Sequence, residues 1–110
     1  MPLAREHCEA CTGTTPTLSA EERERLRTEL SSDWEVVEGV RLRRRIRRPD
    51  FASAFAMATG VALLAESEGH HPDMCVGWGR LDIELTTHAV GGLTRNDFIL
   101  AARIDAAVGG

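Results

Sequence analysis

Two adjacent imidazoles, His70 and His71, precede Pro72, and a third, His88, lies downstream in a strand-like segment. Imidazole is the side chain whose ordinary pKa, about 6.5, lets it give and take protons near neutrality. Two or three together suit a reaction that needs one proton delivered and another removed. Two other readings stand beside this one. In the first, His70 and His71 merely end a helix and His88 merely ends a strand. In the second, the three rings hold zinc in an open site, although adjacent His ligands diverge and no acidic residue lies at an obvious ligand spacing. Cys8 and Cys11, with His7 beside them, form a lone Cys-x-x-Cys pair with no partner pair downstream, a weak signal for structural zinc or redox chemistry.

The imidazoles act together only if the chain brings them together. Gly79-Arg80 separates two strand-like runs, 74–78 and 81–87, and Gly at the first turn position is what a type II′ hairpin requires. With those two residues as the turn, Trp78 faces Leu81 and His71 faces His88, with β-carbons roughly 4.5–5.5 Å apart. Gly69 supplies torsional freedom before His70, and Pro72 rigidity after His71.

The remaining elements follow from caps and periodicity. Residues 1–17 mix Thr, Gly, Pro and charges without apolar periodicity, which predicts a flexible or loosely docked N-terminal arm ahead of a single domain, 18–110. Ser19 and Glu22 form a capping-box pattern opening a helix to about Leu30. Residues 34–37 and 40–46 read as strands around Glu38-Gly39. Asp50 caps a second helix ending near Glu66 or Glu68, with Phe51, Phe55, Ala58 and Ala62 as its buried stripe. Thr94 with Asp97 makes another capping box, and Leu93 with Phe98 a hydrophobic staple, opening a last helix. The order α-β-β-α-β-β-α implies an α+β fold with three helices on one face of a four-stranded antiparallel sheet.

Composition narrows the function. The chain has 110 residues, a formal net charge of −4 and no Lys or Tyr, which excludes a Lys Schiff base or a Tyr acid and does not favour nucleic acid or an anionic membrane. The Arg-rich run 41–48 alternates with Leu42 and Ile46, so most of it reads as a solvated strand face, with Glu21, Glu22, Glu24 and Glu29 available as counter-charges. Arg44 falls on the apolar side and is the exception that this reading does not place. The longest uncharged run, 51–65, is too short for a membrane span. Three Cys, an odd number, suit a reducing compartment, and a cytoplasmic location is expected.

The run Glu66-Ser67-Glu68-Gly69-His70-His71-Pro72, followed by Trp78, His88 and Asp97, resembles the signature of the pterin-4a-carbinolamine dehydratase family. The resemblance extends from about Leu18 to Ile104 and includes Thr86-Thr87-His88, Gly91-Gly92-Leu93 and Asn96-Asp97-Phe98; the Cys-Glu-Ala-Cys arm is similar to bacterial members. It implies removal of water from 4a-hydroxytetrahydropterin to give quinonoid dihydropterin, in recycling of the cofactor of aromatic amino-acid hydroxylases. It also implies no metal or cofactor, and a homodimer or homotetramer formed through sheet edges and helices. On the resemblance His70 and His88 match the proton-transfer residues and His71 the residue that mainly holds the pterin. Gly69, Pro72, Thr86, Thr87 and Ala89 match binding positions, while Glu66, Trp78 and Asp97 match supporting ones. Ala89 departs from the acidic residue often found after this His. The same fold also implies an alternative, a non-catalytic assembly protein or transcription cofactor.

Overall fold

Alternation of apolar and charged residues makes the central strands two-faced, and that decides where everything else packs. The structure, a computed structural model, describes residues 2–109; Met1 and Gly110, the outermost residues of the expected arm and domain, lie outside them. The elements are α1 (Ala20–Arg27), β1 (Glu35–Val37), β2 (Arg41–Arg47), α2 (Phe51–Glu68), β3 (Asp73–Gly77), β4 (Arg80–Leu85) and α3 (Arg95–Val108), in the order expected. The sheet is antiparallel with strand order β1-β2-β4-β3. Leu42 and Ile46 of β2 and Leu81, Ile83 and Leu85 of β4 are buried with Trp34, Phe98, Leu100 and Ile104, so all three helices serve one face.

The opposite face carries the Arg-rich run. Its counter-charges are cross-strand neighbours rather than the α1 glutamates: Arg43 pairs with Glu35 (3.1 Å), Arg45 with Asp82 (2.6 Å) and Arg41 with Glu84 (3.6 Å). Opposed strand residues meet directly, whereas α1 lies outside the sheet. Arg44, the exception on the apolar side, is 6% exposed and ion-paired with Asp105 of α3 and with Asp33 (3.6 Å). Asp105 also accepts from Trp34 Nε1 (2.7 Å) and from the Ser31 amide (2.8 Å). One carboxylate thus ties α3, β2 and the α1–β1 connection together.

Three sequence expectations are corrected. The α1 helix stops at Arg27, where Thr28 turns its hydroxyl back onto the Arg25 carbonyl (2.6 Å) and tighter turns carry the chain to a buried Leu30. On α2 the buried stripe is Ala54, Ala58, Val61 and Ala65, rotated roughly 60° from the expected one. Phe51 and Phe55 are 48% and 56% exposed, and Ala62 is exposed too. Small side chains let α2 approach the core closely, and the rings fall to the flank.

The third correction concerns register. Gly77, not Trp78, ends β3 and pairs with Arg80, so the turn residues are Trp78 and Gly79. The positive φ of +73° lies at Gly79, the second turn position, and not at the first as a type II′ turn needs. β4 ends at Leu85, and His88 therefore does not sit in the ladder opposite His71.

The segment expected as a flexible arm makes specific contacts. Leu3 is 2% exposed in the core, Glu6 forms a bidentate pair with Arg95 (2.9 and 2.7 Å), and the Glu6 carbonyl accepts from Arg103 Nε (2.7 Å).

Replacing Asp105 with Ala leaves the Arg44 charge buried without its main partner and strips the Trp34 indole of its acceptor. Loss of one member of a buried pair costs about 3 kcal/mol or more. The urea unfolding midpoint of Asp105→Ala is expected to fall accordingly; a change below about 1 kcal/mol, within the range of an exposed pair, would contradict this assignment.

Candidate active site

The end of α2 places the first two imidazoles. Gly69 adopts φ +67°, its amide donates to the Glu66 carbonyl and that of His70 to the Ala65 carbonyl (both 3.3 Å). These bonds satisfy the last helical carbonyls and turn the chain sharply, so that His70 leaves the helix toward α3. His88 arrives by another route. After β4, Thr87 bridges to Gly92 and the intervening residues form a tight turn, closed by the Gly91 amide on the Thr87 carbonyl (3.0 Å). Gly91 meets the turn's need for a left-handed residue, with φ +64°.

The two segments meet in a cleft of about 230 Å³ lined by Gly69, His70, His71, Thr86, Thr87, His88 and Ala89, joined by Glu9, Cys11 and Asn96. The convergence of three imidazoles expected from the sequence is present, although the ladder register from which it was argued is not.

Asp97 lies beneath this cleft and is fully buried. Its Oδ1 accepts from His70 Nε2 (2.6 Å), and its Oδ2 from the Thr87 hydroxyl (2.8 Å) and the Thr94 amide (2.9 Å). Thr94 in turn bonds Thr87 through its own hydroxyl (2.9 Å). The capping role expected for Asp97 and its place behind a site histidine are therefore one arrangement: the same carboxylate caps α3 and holds His70. With Asp97 as a carboxylate, which only accepts, the bond takes the Nε2–H tautomer of His70 and leaves its Nδ1 outside the contact.

His71 Nε2 bonds Glu66 Oε1 (2.6 Å), but the two side chains are 61% and 76% exposed, so water competes with the contact. His88 is exposed; its carbonyl accepts from the Gly91 amide (3.3 Å), and no contact holds its ring among the described residues. Pro72 borders a neighbouring apolar depression with Leu63, Glu66, His71 and Met74 rather than the cleft itself. Trp78 is not brought to the site. It sits 76% exposed at the tip of the β3–β4 hairpin, separated from His71 by the whole of β3, whose length alone is roughly 17 Å.

Sequence reasoning missed Glu9, Cys11 and Asn96 as cleft residues. The Asn96-Asp97 dipeptide was visible, but a surface-looking arm gives no periodic signal of where it docks. The arm is fixed by Glu68, whose Oε1 accepts from the Cys8 amide (2.8 Å) and Oε2 from His7 (2.9 Å). His7 and Cys8 are thus engaged with Glu68 and Asn96, and among the described residues no group of three His, Cys, Asp or Glu side chains is placed to hold a metal ion.

Comparison with known proteins now decides the family. Residues 16–107 match the family described as Pterin 4 alpha carbinolamine dehydratase. The chain belongs to this family. A relative from Rubrobacter xylanophilus is 46% identical over 94% of this chain and 95% of its own, and one from Chlorobium limicola is 54% identical over 87% of each. Both carry the name "putative pterin-4-alpha-carbinolamine dehydratase". Among solved structures, a protein titled "transcriptional coactivator/pterin dehydratase" from Brucella melitensis superposes with a TM-score of 0.76 at 30% identity, over 83% of this chain and 97% of that one. No helix among the described residues is long and apolar enough to cross a membrane.

The Glu68 carboxyl is destabilised by burial, yet the Cys8 amide, His7 and Arg103 hold it below the ordinary Glu range. Glu6 is likewise lowered, chiefly by its bond to Arg95. Groups with depressed folded-state pKa values add stability above the ordinary Glu value, about 4.3, and lose it as pH falls through the folded value. Protection of the Cys8 amide against hydrogen exchange is therefore expected to hold from pH 7 down through the ordinary Glu value and to be lost only as the pH falls below it. Protection already lost at or above the ordinary Glu value would contradict the role given to Glu68.

Proposed function

We propose that this protein removes water from a 4a-hydroxytetrahydropterin to give quinonoid dihydropterin, by histidine general acid–base catalysis. The observation that carries the reading is the meeting of His70, His71 and His88 in one cleft, with His70 backed by the buried Asp97. Family membership supports the substrate class.

In the forward step an imidazolium gives a proton to the 4a-hydroxyl oxygen, the C4a–O bond breaks and water departs. A neutral imidazole takes the proton from N5, and the N5–H electron pair forms the N5=C4a double bond. One proton enters and one leaves, so the two rings exchange protonation states and solvent restores them. His70 and His88 are assigned to these transfers, and His71, with the Gly69, Thr86, Thr87 and Ala89 segments, to holding the bicyclic ring. Asp97 orients His70 through its bond to Nε2, as a buried carboxylate behind an imidazole does.

Tetrahydropterin recycling in a cytoplasm that also holds an aromatic amino-acid hydroxylase is the setting this chemistry fits. Assembly as a homodimer or homotetramer belongs to the same proposal. The exposed Phe51 and Phe55 on the flank of α2, with rings 6.1 Å apart, are the apolar surface such an assembly would cover. Light scattering is expected to give a mass of two or four chains, shifted toward the monomer by Phe55→Glu; a monomeric wild type would remove this part of the reading.

Removing a general acid or base typically costs between 10² and 10⁴ in rate. Decay of the 4a-hydroxytetrahydropterin absorbance is expected to slow by about 10²-fold in His70→Ala and in His88→Ala, with much less than the product of both effects in the double variant. Wild-type protein no faster than His88→Ala would end the assignment.

A further inference from the structure

The N-terminal segment does more than cover α3. Glu9 and Cys11 line the same cleft as the three imidazoles, and Asn96 sets where they lie. The Asn96 side chain is buried, 7% exposed, and works at both ends on the Glu9 backbone. Its Oδ1 accepts from the Glu9 amide (3.0 Å), and its Nδ2 donates to the Glu9 carbonyl (2.5 Å) and to Cys11 Sγ (3.0 Å). One side-chain amide, with its acceptor oxygen and its N–H donors, thus satisfies both backbone groups of Glu9. Asn96 is also the neighbour of Asp97, so consecutive residues in the first turn of α3 hold the arm and the catalytic imidazole.

The anchoring continues upstream. Glu68 clasps the Cys8 amide and His7, and Arg103 Nε donates to the Glu6 carbonyl (2.7 Å). Attachment on both sides of residue 9 makes this wall preorganised, which lowers the ordering cost of binding a ligand against it.

We propose that residues 9–11, positioned by Asn96, form a substrate-contacting wall of the cleft and determine how tightly the pterin is held. This rests on the reading of the cleft as the pterin site. Asn96 is a positioning residue and Cys11 is the side chain that senses occupancy. In a cleft of about 230 Å³, a group added to Cys11 Sγ competes with a bicyclic ring for the same space.

The thiols can be told apart. Burial, with the carboxylates of Glu68 and Asp97 nearby, pushes Cys8 up to about 12, so it is inert at neutral pH. Cys75 is exposed on the charged face of the sheet, and Cys75→Ser removes it from the experiment. Full-length Cys75→Ser protein is treated with iodoacetamide, whose iodide is displaced as the thiolate forms the new C–S bond, with and without 7,8-dihydropterin. Modification of Cys11 is followed by peptide mass spectrometry, and dihydropterin binding by quenching of its fluorescence.

Saturating dihydropterin is expected to slow Cys11 alkylation at least fivefold, and the alkylated protein to show KM raised at least fivefold. Asn96→Ala in the same background is expected to abolish the protection and raise KM with a smaller effect on kcat, a split that partial unfolding would not produce. Dihydropterin that binds yet leaves the Cys11 rate unchanged would overturn the proposal, as would an unchanged KM in Asn96→Ala. Dihydropterin that does not bind at all would instead overturn the reading of the cleft itself, and this proposal with it.

Discussion

A carboxylate buried away from water is stable only if its oxygens are fully paired, and Asp97 meets that condition by joining three parts of the chain. It receives the His70 ring from the α2 exit, the Thr87 hydroxyl from the end of β4 and the Thr94 amide from the start of its own helix. Every donor comes from a segment that borders the cleft. The site's geometry is therefore a consequence of satisfying one charge, and the local features follow from it: the left-handed Gly69, the Thr87–Gly92 bridge and the Thr94 cap. A partly satisfied network would cost more than an apolar core, which is why such an arrangement is rigid.

A second buried charge organises the far side. Arg44 points into the apolar layer and is met by Asp105, which also serves Trp34 and Ser31. Both carboxylates belong to α3, Asp97 in its first turn and Asp105 toward its end. The helix is thus fixed to the sheet at two points, with Phe98, Leu100 and Ile104 packing between them. Precision at the cleft depends on this, since a helix free to slide would carry Asp97 and His70 with it.

The order of elements was legible because caps and alternation are local. Ser19, Asp50 and Thr94 announce helix starts, and Leu81, Ile83 and Leu85 announce a one-sided strand. The histidine cluster was legible through the family resemblance, whereas the strand register that was to set His88 opposite His71 was misjudged. What sequence alone misjudged depends on close packing. The side of α2 that faces inward is set by how near Ala54 and Ala58 let it approach, and apolarity alone selected the bulkier Phe51 and Phe55 instead. The hairpin register turned on which residue takes positive φ, and a single Gly79 fits either turn position. Trp78 shared a sequence signature with the site but sits at the opposite end of β3. The partners of Arg44 and the docking of the arm on Asn96 and Glu68 are long-range contacts with no periodic trace.

The bond between His70 and Asp97 can be observed directly by two-bond ¹H–¹⁵N correlation spectroscopy of the histidine ring nitrogens. The account predicts that neutral His70 is the Nε2–H tautomer, with that proton shifted downfield by its short bond, and that Asp97→Ala removes the downfield signal. A His70 ring protonated on Nδ1 alone, or a spectrum indifferent to Asp97→Ala, would contradict it.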